Sequence, residues 1–225
     1  MRPESLSIVI FGLSITSSWG NGHATIYRGL VRELAARGHK VLFLERDAPW
    51  YKAARDRPRP AYGRTVLYKS LAELKRRFHA SVHNADLVIV GSYVPQGIEL
   101  GEWVVRNARG VTAFYDIDTP VTLKLIDGGR APYLSLALIP RYRLYLSFTG
   151  GPVLRVLERK YGSPMARALY CCVDSEFYFP THHKQLWHLG YMGTYSKDRQ
   201  SALNRLMFEP ARRFRKGRMV VAGPQ

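Results

Sequence analysis

Apolar runs and amphipathic stretches alternate along most of the chain. Residues 5–12 (SLSIVIFG) read as a buried strand. Residues 22–37 set Ile26, Leu30 and Leu34 on one helical face, and Gly38 ends that helix. A second strand is expected at 40–45 (KVLFLE), followed by a long Pro-rich, charged loop at 46–63. Then come a short strand at 65–68, an amphipathic helix at 71–85, a strand at 86–91 (DLVIVG), a helix at 97–108 and a strand at 110–115 (GVTAFY). Residues 144–148 (LYLSF) form a further strand, 153–161 a helix after a Gly-Gly-Pro turn, and 168–173 (ALYCCV) a last strand.

Strands that alternate with helices imply right-handed crossovers and a mostly parallel sheet covered on both faces. The expected fold class is therefore α/β, a Rossmann-like doubly wound domain over residues 1–180. The mixed aromatic and polar segment 175–184 (SEFYFPTHHK) reads as a connector. Beyond it the pattern restarts with a strand at 186–192, a turn, a helix to Phe208 and a strand at 218–222. One strand–helix–strand unit cannot cover both faces of its own sheet. Residues 181–225 are accordingly expected to begin a second, truncated Rossmann-like domain.

Composition changes this picture in one respect. Hydrophobic content of 46% is ordinary, but the 225 residues carry 25 Arg and 9 Lys, and a net charge of +17. Such an excess attracts nucleic acid, anionic membrane or phosphorylated substrates, or it reflects solvated Arg-rich surfaces without a partner. The two cysteines, Cys171 and Cys172, are adjacent, a spacing ill suited to disulfide geometry and in keeping with a reducing cytosol. No apolar run reaches the roughly 18 residues of a membrane span. The first 18 residues mimic a signal peptide, yet Glu4 interrupts the charged start and the following helix needs residues 5–12 as its partner strand. The expected location is cytoplasmic, at most peripheral to the inner membrane face.

Ligands of open parallel sheets bind where loops leave the carboxyl ends of strands. Four such loops stand out. In GLSITSSWGNGHATIYRGL (12–30), Gly20, Asn21 and Gly22 precede His23 at the expected helix start. Free N–H groups there suit an anion or a sugar oxygen, and the positive helix end disfavours imidazolium, leaving His23 able to accept a proton. A His that merely caps or packs is the other reading. In FYDIDTPVT (114–122), Asp116 and Asp118 leave a strand two apart; Asp116 is the candidate to orient a substrate or act as a base, whereas Asp118, with Thr119 and Pro120, also fits a helix cap. In SFTGGPVL (147–154), Gly150 and Gly151 allow either close approach of a ligand or a tight turn. In LGYMGTYSKDRQ (189–200), Gly193, Thr194 and Ser196 offer donors and Arg199 a phosphate partner, with Ser196 as a helix cap the alternative. No GxGxxG fingerprint occurs, which disfavours a nicotinamide-dependent oxidoreductase. His182, His183 and His188 lack neighbouring carboxylate or Cys ligands, so no metal site is expected.

Taken in order, GNGHAT, ERDAPWY, ADLVIVGSYVPQG, FYDIDTPVT, LYLSFTGGP, LYCCVD and LGYMGTYSKDRQ resemble the CgeB-like bacterial glycosyltransferases of the GT-B type, from about residue 7 to residue 225. The resemblance implies two Rossmann-like domains across a cleft and metal-independent transfer of a sugar from a nucleotide-diphosphate sugar, with no cofactor beyond that donor. His23 would be the catalytic base, with Asp116 orienting it or the acceptor. Gly20, Asn21, Gly22, Asp118, Thr119, Gly150 and Gly151 would line the acceptor side. The loop Gly193-Thr194-Tyr195-Ser196 with Arg199 would lie at the donor phosphates. The acceptor, a glycan, lipid or protein, is left open, and no specific nucleic acid is expected. The later donor-domain strands and their acidic residue fall beyond residue 225, so the chain alone is expected to turn over slowly or not at all. The alternative is a non-catalytic module that binds an anionic glycan, membrane surface or nucleic acid.

Overall fold

The computed structural model describes residues 5–193 and 195–223. The chain divides into two compact units, Met1–Tyr178 and Phe179–Gln225.

The first unit is built on seven strands: β1 (Ser7–Gly12), β2 (Lys40–Arg46), β3 (Arg64–Tyr68), β4 (Leu87–Gly91), β5 (Val111–Asp116), β6 (Leu144–Ser147) and β7 (Ala166–Ala168). They lie in the order β3-β2-β1-β4-β5-β6-β7, every described pair parallel. The order reverses between β1 and β4, which places the switch point of a doubly wound sheet there. Helices α1 (His23–Ala36), α2 (Pro49–Lys52), α3 (Leu71–His83), α4 (Gly97–Asn107), α5 (Thr119–Asp127) and α6 (Pro152–Arg159) connect them. The short α2 interrupts the stretch expected as one long loop; Pro49 starts it, its fixed φ suiting a first helical position.

Both sheet faces are buried, and the strands show it residue by residue. Val9 and Phe11 of β1 join Val88 and Val90 of β4 and Phe114 of β5 in one core with α3, α4 and Tyr133–Tyr142 side chains. Ile8 and Ile10 point the other way, with Ile89, Ala113 and Tyr115, into the core under α1. This period-2 division explains why each strand reads as a continuous apolar run.

The strand expected at 168–173 is displaced. Pairing ends at Ala168, and the chain leaves the sheet to cross α1. A Cβ on Gly29 would come within 2.7 Å of the Val173 backbone, so the helix surface there must be bare for the crossing. Arg32 of α1 pairs with Asp174 and Glu176 beyond it. The run is apolar because Leu169 and Cys172 pack on the α1-side core, not because it is a strand.

The second unit holds two parallel strands, β8 (Leu189–Met192) and β9 (Met219–Ala222). Between them α7 (Lys197–Leu203) passes through a π turn, Asn204–Phe208, into α8 (Glu209–Arg213), rather than running as one regular helix to Phe208. No helix among the described residues is long and apolar enough to cross a membrane.

Candidate functional site

The loop after β1 is held by a carboxylate. Glu45, fully buried at the end of β2, accepts from the amides of Ile15 and Thr16 (2.7 and 2.9 Å), from the Thr16 hydroxyl (2.6 Å) and from Ser14. Arg28 of α1 donates to the Ile15 carbonyl (2.8 Å) and forks onto Asp56 (2.8 and 3.0 Å), which also takes the Ser18 amide. Arg28 beside it holds the Asp56 carboxyl well below its usual range. The small and polar residues at 14–18 are therefore explained by an internal ion and hydrogen-bond network. What remains facing outward is the tip: Trp19, 57% exposed, Gly20 in the left-handed region at φ 65°, the half-buried Asn21, and Gly22.

Gly22 occupies the N-cap position of α1, and the side-chain Oδ1 of Asn21, one residue further out, accepts the Ala24 amide at 3.2 Å. Neither Gly20 nor Gly22 lies under another group; a Cβ on either would meet open space. His23 follows in the first turn of α1, on the carboxyl-end side of β1. Its ring meets Tyr93 edge-on (centroids 5.5 Å, 88°) and lies tilted to Tyr27 (6.3 Å). His23 Nδ1 is buried without a hydrogen-bond partner among the described residues. Burial drops the imidazole pKa to about 4, with nearby Asp118 pulling in the other direction. At neutral pH the ring is an uncharged base.

Tyr93 belongs to the loop Ser92–Gln96 after β4, part of the motif ADLVIVGSYVPQG but not one of the four candidate loops, directly across the switch point from His23. Two of its residues, Tyr93 (φ 64°) and Gln96 (φ 56°), adopt the left-handed region without being glycine, a strain that loops retain where position matters. The Tyr93 hydroxyl donates to Asp118 Oδ2 at 2.9 Å, and its ring packs on Tyr133 at 4.6 Å. Burial and the Asp118 carboxylate raise the Tyr93 pKa far above the ordinary phenol value. The signal available in the sequence was position alone: a loop following the strand at which the order reverses.

The two aspartates exchange their expected parts. Asp116 is fully buried and closed in, accepting from Tyr145 (2.6 Å), Thr122 (2.8 Å) and the Asp118 amide (3.1 Å), with burial raising its pKa. It organises the turn after β5 and does not reach the imidazole, which corrects its expected role as the orienting residue. Asp118 sits at the N-cap position of α5 but makes no capping bond with its side chain, which turns to Tyr93 instead. Thr119 is buried against Ser147 (2.8 Å), again inside the turn. At the next loop, a Cβ on Gly150 would fall 2.3 Å from the Tyr170 hydroxyl, so the bare position accommodates Tyr170 rather than a ligand. Gly151 turns the chain at φ 72° into α6 with no neighbour above it.

In the second unit, Gly193 follows β8, its amide donating to the Ala222 carbonyl (3.0 Å), and the Ser196 hydroxyl bonds to Asp198 at the start of α7. Tyr195 and Arg199 are exposed. Thr194 lies outside the described residues. His188 accepts the Arg218 amide through Nδ1 (3.0 Å), and no group of three potential metal ligands gathers among the described residues. A concavity of about 650 Å³ opens at the amino ends of β1–β3 beside Ser7, His39, Lys40 and Arg64, at the edge of the sheet opposite His23.

No protein-family model matches the sequence, and no curated protein matches it. Among solved structures the chain is similar to an alpha-glucosyltransferase in complex with UDP and a 13-mer DNA containing a HMU base. In one structure, at 1.9 Å, the TM-score is 0.61 at 15% identity, covering 92% of this chain and 55% of that one. In a second, at 2.8 Å, it is 0.63 at 15% identity, covering 98% and 57%. The chain thus has the Rossmann-like α/β fold of a GT-B glycosyltransferase. It spans a little over half the length of those chains. The likeness is one of fold and does not extend to the CgeB-like family that the motifs resemble.

Proposed function

We propose that the first unit is the acceptor side of a glycosyltransferase that moves a sugar from a nucleotide-activated donor to a hydroxyl acceptor. The observation that carries this reading is the placement of His23 at the switch point of a GT-B-type sheet, edge-on to the Tyr93 that bonds to Asp118, with burial lowering its pKa. In such a reaction the acceptor hydroxyl gives its proton to the imidazole as its oxygen attacks the anomeric carbon. The bond from that carbon to the donor phosphate breaks, and the nucleoside diphosphate leaves. A base of pKa about 4 is weak at rest. Asp118, which acts on the ring through space while its Oδ2 takes the Tyr93 hydroxyl, offsets this by stabilising the imidazolium as it forms. Gly193, Thr194, Tyr195, Ser196 and Arg199 are assigned to the donor diphosphate by resemblance, as neutralising groups for the leaving oxygens.

The UDP held by the similar structures makes a uridine-diphosphate sugar the first donor to try. Their DNA adds nucleic acid to glycan, lipid and protein as acceptor classes. The test is transfer from radiolabelled UDP-glucose to each acceptor class, with wild type and His23→Ala compared. Loss of about 10²–10⁴-fold in turnover, with acceptor affinity kept, is the expected result. Equal transfer by both proteins would remove His23 from the chemistry.

A further inference from the structure

The charge excess is densest in the second unit. Its 47 residues hold nine Lys and Arg against only Asp198 and Glu209. Five of the nine fall in one seven-residue run, Arg212-Arg213-Phe214-Arg215-Lys216-Gly217-Arg218, and all five are exposed. None of them forms an ion pair among the described residues, whereas ten such pairs occur in the first unit. The run is ordered. The Gly217 amide closes a turn onto the Phe214 carbonyl (2.8 Å), and His188 is tied to Arg218 through both its backbone amide (2.8 Å) and its ring (3.0 Å).

Phe214 is the unusual member. It sits among the five cations, 48% exposed. His188 meets its ring edge-on at 5.5 Å, and a Cβ on Gly217 would overlap that ring at 2.1 Å. The aromatic ring is therefore held against a bare backbone on one side and is open to solvent for about half its surface.

We infer that this run is a binding surface for single-stranded nucleic acid, in which the guanidinium groups take backbone phosphates and Phe214 stacks on an unpaired base. Four of the five cations are Arg, whose planar fork matches phosphate oxygens. A cationic track with an interleaved aromatic is what sequence-tolerant single-strand binding requires. An anionic membrane fits less well. A membrane-surface helix segregates cations from a long apolar face, whereas α8 has five residues and the run alternates charge around a single ring. The surface does not depend on sugar transfer.

The test is fluorescence anisotropy of the full chain with a fluorescein-labelled 20-nucleotide thymidine strand. Five neutralised phosphates give a salt slope of about −3.5, so affinity falls roughly 100-fold between 50 and 200 mM salt. Arg213→Glu with Arg215→Glu weakens binding at least tenfold, while reversal of two first-unit charges, Arg76→Glu with Arg155→Glu, leaves it within about threefold. Phe214→Leu and Gly217→Ala, the latter displacing the ring without removing a charge, each weaken binding and leave the salt slope unchanged. Circular dichroism of each variant reports that the fold is kept. Equal losses from the two charge-reversal pairs would reduce the effect to net charge and overturn the proposal. So would binding to phosphatidylcholine–phosphatidylserine vesicles with none to the oligonucleotide.

Discussion

Tyr93 bonds to Asp118 at 2.9 Å while presenting the edge of its ring to His23 at 5.5 Å. One side chain thus occupies the carboxylate that acts on the imidazole and also forms a wall of the imidazole's surroundings. The hydroxyl neutralises part of the field that Asp118 would otherwise exert on His23. Removing it in Tyr93→Phe keeps the wall and frees the carboxylate. The His23 pKa should then rise from about 4 towards its ordinary value, read by ¹⁵N NMR titration of the imidazole. An unchanged titration would mean that Tyr93 does not control Asp118.

Stability should carry the signature of the same imidazole. Its folded pKa of about 4 lies below the ordinary 6.5, so between those values the unfolded chain binds the extra proton. The contribution is complete above about pH 6.5 and is lost as the pH falls towards 4. A shift of this size is worth roughly 2–3 kcal/mol, allowing for screening at a partly accessible ring. Asp116, whose pKa is raised, works in the opposite sense, so the comparison must be with His23→Gln rather than with theory. Urea denaturation at pH 4.5 and 7 should show a smaller difference for His23→Gln than for wild type.

Glu45 makes the loop ahead of His23 sensitive to a residue far from it in sequence. Glu45→Ala leaves the Ile15 and Thr16 amides without an acceptor inside the protein, which costs about 1–3 kcal/mol for each group left unpaired. Glu45→Gln should be far milder, because its carbonyl can take both amides while its NH₂ donates to the Thr16 and Ser14 hydroxyls. Denaturation midpoints and hydrogen exchange at residues 14–17 should separate the two variants. Equal losses would point to the charge itself rather than to the acceptor.

The alternation of strand and helix was legible because both sheet faces are buried, which turns every strand into an apolar run. Chain crossings were not. The run after Ala168 has the composition of a strand for a different reason, its packing on α1 under Val173. The place of His23 at the start of α1, behind Gly20 and Gly22, was legible; the part it takes in chemistry belongs to the proposal. The exchange of Asp116 for Asp118 was hidden, because which carboxylate is closed in depends on Tyr145 and Thr122, distant or unremarkable in the pattern. Tyr93 escaped because a tyrosine in a short loop carries no chemical signature until its backbone is seen at φ 64°.

Tyr27 gives the last prediction. Its hydroxyl is buried without a partner among the described residues, and a Cβ on Gly91 would fall 1.9 Å from it. The ring bridges β1 and β4 beneath His23, so the glycine is needed for the tyrosine and the hydroxyl gains nothing in return. Gly91→Ala alone should destabilise by about 1–3 kcal/mol, the range for overpacking a filled core. Tyr27→Phe alone should be neutral or stabilising, since a buried unpaired hydroxyl is a penalty. Together they should be strongly non-additive: without the oxygen, the nearest ring atom, Cζ, lies 3.2 Å from the new methyl, tight but tolerable. A double-mutant cycle in urea measures that coupling. If Tyr27→Phe instead weakens the fold and fails to rescue Gly91→Ala, the hydroxyl has an unseen partner, an internal water between it and His23 Nδ1 being the first to look for in a high-resolution crystal structure.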